Sequence, residues 1–447
     1  MKSKWGKRIG YGIGDLGCNL VFSTMASYLM VFYTDVFGIT AAAAGTMMLV
    51  TKFVDAITDT CMGTIVDHTH TRWGQGRPYF VVGAIPFAVF TCLTFHIPNF
   101  SQSGKLVWAY VTYILLCTAY TVVNIPLNTI VPRLTADVHE RDILVSTRMV
   151  CAMLGTAIVM TITEPLVRHF GGGNDARGYA VTMTIYGILA MLIFFVTFAS
   201  TEEVVPPTVD TKGVSLRESL HGLTGQAWIL FLLNLFYFSL YVVRSTTVIY
   251  YFEYNLGRTT WLFLVGILGI LSGLPMLLIL PTLEKHFSKR SLMFVSIGIY
   301  LLGDMIIFFG KNSAFCLLAG LVITGLGIYG IFGITFAMQP DVIDYSEYSK
   351  NASVSGLIAA FQGFFVKGGM GLTSFIIGVF LARGGYVPNV EQTPKALAYI
   401  KVCFIWIPVV LCAAIAVLTW FYKLDKLRDD MTKVLDERRA QNEAEAS

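Results

Sequence analysis

A chain of 447 residues with 55% hydrophobic side chains, 13% charged ones and a mean hydropathy of +0.66 lies far from the roughly 25% charged content of a soluble domain. Apolar runs of about 20 residues, the length needed to cross hydrocarbon, recur along it, which excludes a soluble enzyme and predicts an all-α polytopic membrane protein. The formal net charge of +4 falls in connecting segments and makes no case for nucleic acid binding.

In chain order the runs predict about twelve transmembrane helices, at 9–34, 41–66, 79–98, 106–130, 145–167, 178–199, 226–252, 260–281, 291–310, 314–337, 354–382 and 399–421. The first is long and is followed by Tyr33, Thr34 and Asp35 rather than a small-residue cleavage site, so it reads as a retained span. A polar break, STEEVVPPTVDTKGVSLRESLHG, divides the set in two. In it Pro206 and Pro207 stop a helix, and Ser215 with Glu218 three residues on resembles a capping box. The expected organisation is an N-terminal six-helix bundle over 1–199, a cytoplasmic linker over 200–225, a C-terminal six-helix bundle over 226–422 and a cytoplasmic tail over 423–447.

Lys and Arg are retained on the cytoplasmic side of a membrane. With the N-terminus inside, twenty of them fall on that side and eight on the other, which predicts a bacterial-type inner-membrane protein with both termini in the cytoplasm. The eight cysteines lie within or beside predicted spans with no CxxC spacing, and read as small packing residues.

The second span, AAGTMMLVTKFVDAITDTCMGTIV, carries Asp55 and Asp59 four residues apart, on one helical face, with Lys52 beside Asp55. Ionisable groups at membrane depth are costly, so they are functional candidates. Two carboxylates and one ammonium leave one negative charge in excess, which a proton or a Na⁺ would answer; Thr58 and Thr121 offer hydroxyl oxygens for it. The competing expectation is a structural ion pair that neutralises itself. Three further cations lie in or near spans: Arg148 in the fifth, Arg244 in the seventh and Lys367 in the eleventh. Aromatic residues such as Tyr28 and Phe332 offer faces for a sugar ring, although most aromatic side chains in such a chain are packing.

YTDVFGI, the DAITD segment with Asp55 and Asp59, RWGQGRP, YTVVNIPLNTIVPRLTADVHERD, DVIDYSEY and GGYVPN, in this order, resemble the landmarks of the glycoside-pentoside-hexuronide:cation symporters, a branch of the major facilitator superfamily that includes melibiose and glucuronide carriers. The resemblance implies alternating access by two six-helix bundles, a coupling cation at Asp55, Asp59 and Thr121, and a sugar site lined by Asn19, Asn124, Arg148, Lys367 and Phe332. Where melibiose carriers have a Lys-Asp pair this chain has Cys18 and Asn19; Asn124 replaces an Asp, Asn128 a tryptophan and Gln75 a lysine.

Galactosides are therefore not expected. Loss of two carboxylates with Arg148, Lys367 and Arg244 retained predicts a positive pocket suited to an acidic sugar such as a hexuronide. The alternative is a neutral pentoside or hexoside, with Asp55 and Asp59 balancing the cations.

Asp137, Glu140 and Arg141 follow the fourth span, and Asp341, Asp344 and Glu347 the tenth. Pairing of Arg141 with Asp341 or Asp344 is expected to form a cytoplasmic gate, assisted by the Gly63, Asp67, Arg72 and Arg77 loop. The tail mixes charge signs at helical spacing and reads as a solvated helix. The sequence thus predicts a monomeric carrier, without a cofactor, that couples H⁺ or Na⁺ to sugar uptake. A uniporter or exchanger without tight ion coupling, or a sensor for neutral pentosides, is the alternative. No nucleophile-base pair or metal-ligand spacing supports an enzyme, and no repeated polar ring supports a channel.

Overall fold

The computed structural model describes residues 4–69, 71–135, 137–204, 223–258, 261–310, 313–350 and 355–427, with Met431 and Val434. Most of the 200–225 linker, with its proline pair and capping box, and most of the tail lie outside the described residues, as does the Asp67 side chain. Among the described residues the regular structure is helical.

We number the helices α1 (Lys4–Ser27), α2 (Ala41–Asp67), α3 (Pro78–Thr94), α4 (Gln102–Thr129), α5 (Val138–Gly171), α6 (Asp175–Ser200), α7 (Gly225–Tyr250), α8 (Leu262–Leu283), α9 (Lys289–Phe309), α10 (Ala314–Lys350), α11 (Ser355–Gly384) and α12 (Pro394–Phe421). Ten are long and apolar enough to span a membrane; α1 qualifies together with Leu29–Val36, to which it is joined at a 52° bend, and α3 is shorter. Thr40, Ser101, Asn174, Ser288 and Thr393 each accept a main-chain N–H of the next turn and so open α2, α4, α6, α9 and α12. Three wider π turns interrupt the regularity, at Phe32–Val36, Tyr251–Asn255 and Val402–Trp406.

The described residues form two compact units. The first joins 1–209 with 242–270 and 371–404; the second joins 210–241, 271–370 and 405–447. Within the first, glycines let helices approach closely. A Cβ on Gly155 of α5 would sit 3.0 Å from the Leu16 carbonyl and 2.9 Å from Asn19 on α1. On α11, a Cβ at Gly378 would come within 2.3 Å of the Ala41 carbonyl of α2. Small residues at such crossings let backbones pack where lipid supplies no hydrophobic drive between helices. The second unit packs around Leu230, Phe231, Tyr300, Ile331, Ile334 and Met338.

Candidate functional site

α2 brings the predicted acids and Lys52 together as their spacing requires. The Lys52 Nζ lies 3.3 Å from Asp55 Oδ2, with both residues buried. Thr121, reaching in from α4, places its hydroxyl 3.2 Å from Asp55 Oδ1 and 2.7 Å from Asp59 Oδ1. Thr58 donates to the Asp55 carbonyl at 3.0 Å, which leaves its oxygen lone pairs free to accept. Two carboxylates thus converge on one hydroxyl, with a single ammonium opposite. Asp55 is buried and Asp59 half-buried, so the two carboxylates share a site where charge is costly to hold. Lys52 is held against α11, where a Cβ on Gly371 would be 3.0 Å from its own Cβ.

A second polar group lies on α1, α4 and α5, on the same unit. Arg148 of α5 places Nε 3.4 Å from Asp15 Oδ2, and its Nη1 donates to Asn128 Oδ1 at 2.5 Å and lies 3.5 Å from the Tyr11 hydroxyl. Asn19 donates to Asp15 Oδ1 at 3.2 Å and to its carbonyl at 2.9 Å. On α4, Asn128 donates to Asn124 Oδ1, and Asn124 to the Tyr120 hydroxyl, each at 2.5 Å. The Tyr120 ring is stacked on Phe22 at 5.7 Å. Asn19, Asn124 and Arg148 are therefore brought together, through two residues not counted among the candidates, Asp15 and Asn128.

Asp15, one helical turn before Asn19, brings to Arg148 a carboxylate that the expectation of a positive pocket did not count. The signal was present: Asp15 and Asn19 are four residues apart, hence on one face.

Arg244 packs against Phe404 of α12. Its guanidinium lies 4.1 Å from the centre of the Phe404 ring and donates to the Phe404 carbonyl at 3.2 Å. That carbonyl lies in the Val402–Trp406 π turn, four residues before Pro408, which has no N–H to offer it. Arg244 thus supplies the donor that proline withholds. Tyr28 is fully buried with its ring 6.5 Å from Tyr179. In the second unit, Lys367 is half-buried on α11, and half-buried Phe332 packs on Tyr237 and Phe336 at 5.5 and 4.8 Å.

At the gate positions, Arg141 donates to the Thr135 carbonyl at 2.9 Å. Asp341 accepts from Lys289 at 2.7 Å and from the Tyr422 hydroxyl at 3.0 Å, while Asp344 is half-buried on the same helix. Glu347's side chain is outside the described residues. The RWGQGRP loop is fastened in the first unit: the Glu203 carboxylate accepts the main-chain N–H groups of Gln75, Gly76 and Arg77 at 3.0, 2.9 and 3.1 Å, and Arg77 donates to the Phe198 carbonyl at 2.9 Å. Gly74, at φ +107°, turns these N–H groups toward one side.

Residues 10–426 match the family described as MFS/sugar transport protein. The chain is 38% identical to the isoprimeverose transporter of Lactiplantibacillus pentosus over 98% of this chain and 93% of that one. It is 30% identical to the inner membrane symporter YicJ of Escherichia coli (strain K12), over 90% and 88%. In fold it resembles the xylose transporter XylE from E. coli in an inward open conformation, with a TM-score of 0.67 at 13% identity, covering 94% of this chain and 96% of that one. These relatives are membrane transporters and not enzymes. The chain belongs to the MFS/sugar transport protein family, in its glycoside-pentoside-hexuronide:cation symporter branch, and is a multi-pass membrane transporter of the major facilitator fold.

Proposed function

We propose that the chain is a symporter in which downhill inflow of H⁺ or Na⁺, taken up at Asp55, Asp59 and Thr121, drives accumulation of a neutral glycoside held by Asn19, Asn124, Asn128 and Arg148. Lys367 and Phe332, in the second unit, are further sugar candidates on the family resemblance, and two six-helix halves alternate access. The chain acts as a monomer, both termini are cytoplasmic, and Arg141 with Asp341 and Asp344 gates that side in the state facing out.

The observation that carries this reading is the Thr121 hydroxyl within hydrogen-bond distance of both carboxylates on one face of α4, with Asn124 and Asn128 following it at helical spacing. Ion and sugar are thereby addressed by one helix. The Asp15–Arg148 pair supports the neutral substrate: the guanidinium has a carboxylate beside it, so a hexuronate would compete with Asp15. The 38% identity to an isoprimeverose transporter points the same way.

Uptake into membrane vesicles tests the proposal, with labelled isoprimeverose and a labelled glucuronide, under an imposed Na⁺ or pH gradient. Gradient-driven accumulation of the neutral sugar is expected, and Asp59→Asn is expected to abolish accumulation while retaining exchange of internal for external sugar. Concentrative uptake by Asp59→Asn at the parent's level would refute the coupling role.

A further inference from the structure

Two motifs that neither site uses, YTDVFGI and GGYVPN, meet in the first unit. The helical segments that begin with α1 and α7 both end in a π turn, Phe32–Val36 and Tyr251–Asn255, and each is followed two residues later by a glycine in the left-handed region, Gly38 at φ +84° and Gly257 at +62°. Asp35 and Tyr254 each occupy the fourth place of their turn, so they are equivalent positions in the two halves of the sequence. They touch: the Tyr254 hydroxyl donates to Asp35 Oδ2 at 2.6 Å.

Asp35 is the acceptor for a larger set. Tyr386, in the segment after α11, donates to Asp35 Oδ1 at 2.6 Å. The Thr34 hydroxyl donates to the same oxygen at 2.5 Å and shares a hydrogen bond with the Tyr250 hydroxyl at 2.9 Å. Asn389 gives its side-chain amide to the Asp35 carbonyl at 2.5 Å and its main-chain N–H to the Tyr254 oxygen at 3.3 Å. Left-handed Gly385 and Asn389, at φ +74° and +58°, bend the chain so that Tyr386 and Asn389 both face Asp35. Burial, then Tyr250, Asp35 and Tyr254, raise the Tyr386 hydroxyl far above its ordinary range, so it stays a donor.

The chemistry distinguishes this joint from a permanent clasp. Asp35 is half-buried, and hydroxyls and an amide donate to it. Water, itself a hydrogen-bond donor, can replace each of them when the joint opens. Apart from Thr34, the donors come from segments more than 200 residues away in sequence. Next to the joint, α2 crosses α11 closely at small residues: a Cβ on Gly45 would lie 2.8 Å from the Ser374 carbonyl and one on Gly378 2.3 Å from the Ala41 carbonyl.

We propose that Asp35 is the hub of a releasable latch that holds the ends of the α1 and α7 segments to the segment after α11, closing the transport path at the end opposite the chain termini. Its opening would admit sugar from outside. The proposal rests on the alternating-access reading above, and its test does not depend on sugar being transported.

A cysteine placed at Ser27, buried on α1 two turns before Asp35, serves as reporter in intact cells treated with a membrane-impermeant maleimide. The parent with Ser27 sets the background from the native cysteines. In the Ser27→Cys background, Asp35→Asn and Tyr386→Phe should each raise the labelling rate about tenfold as the open population grows. Tyr254→Phe should do the same, and decides the matter if Asp35→Asn fails to accumulate in the membrane. Labelling at the parent rate in well-accumulated Tyr386→Phe and Tyr254→Phe overturns the latch. Failure of the parent to transport sugar would instead strike the proposed function and leave the labelling result standing.

Discussion

Replacing Asp15 by Asn should convert the polar group on α1, α4 and α5 from a neutral site into one that wants an anion. The Arg148–Asp15 separation of 3.4 Å corresponds to about 5 kcal/mol of attraction at an effective dielectric of roughly 20. Both side chains are 18% exposed, so solvent screens part of this, and about 2 kcal/mol is a fair working magnitude, equivalent to roughly 30-fold in an equilibrium constant. Asp15→Asn leaves Arg148 without its carboxylate while keeping an oxygen that Asn19 can reach. Uptake of labelled isoprimeverose should fall by about that factor, and a glucuronide that competes poorly against the parent should now inhibit. Adding Arg148→Gln should remove the anion preference, because two neutral groups replace the pair. Competition curves in counterflow, with neutral and acidic sugars side by side, measure both effects. Unchanged affinity for neutral sugar in Asp15→Asn, with no gain for the glucuronide, would refute the assignment of this pair to the sugar site.

Other substitutions separate scaffold from site. Arg244→Gln removes the donor to the Phe404 carbonyl and the stacking on its ring, a loss of about 1–3 kcal/mol; the detergent-solubilised protein should melt at lower temperature while apparent sugar affinity in counterflow stays at the parent value. Gly378→Val should prevent accumulation in the membrane, since a Cβ there would lie 2.3 Å from the Ala41 carbonyl. Gly368→Ala on the same helix, with no heavy atom within 4 Å of the added Cβ, should accumulate normally on an immunoblot.

What the sequence revealed of the site follows from the range of the contacts. Lys52, Asp55 and Asp59 lie within eight residues on one helix, and helical periodicity alone puts them together. Asp15 is equally local to Asn19, one turn earlier on the same face. Asp35 is different in kind: its partners Tyr254 and Tyr386 are 219 and 351 residues away, and no spacing rule connects them. For Arg244 the sequence offers only a cation inside a span, and its contact with the Phe404 carbonyl, 160 residues away, has no spacing signal. The helices were legible for a similar reason. Hydropathy marks the stretch that sits in hydrocarbon, so the span expected at 314–337 ends where the polar residues begin, yet α10 continues to Lys350 because nothing in QPDVIDYSEYSK stops a helix once Pro340 is accommodated.

Coupling requires that the ion change the energy of sugar binding, and α4 is the element through which it can. Thr121, Asn124 and Asn128 fall at i, i+3 and i+7, one stripe of that helix, with Thr121 touching both acids and Asn128 touching Arg148. In the proposed symport, a cation settling between the carboxylates would reorient the hydroxyl that bridges them, and a rotation of α4 with it would move both asparagines. Couplings of about 1–3 kcal/mol, or 5–150-fold, suffice for such linkage, and two hydrogen bonds at about 1 kcal/mol each are of that size. Thr121→Val keeps the volume and removes the hydroxyl. Apparent sugar affinity with the ion present should then approach that without it, while Thr121→Ser should preserve the parent ratio. If Thr121→Val retained the full ratio in paired binding titrations, the link through α4 would be wrong and the two sites would have to communicate by another route.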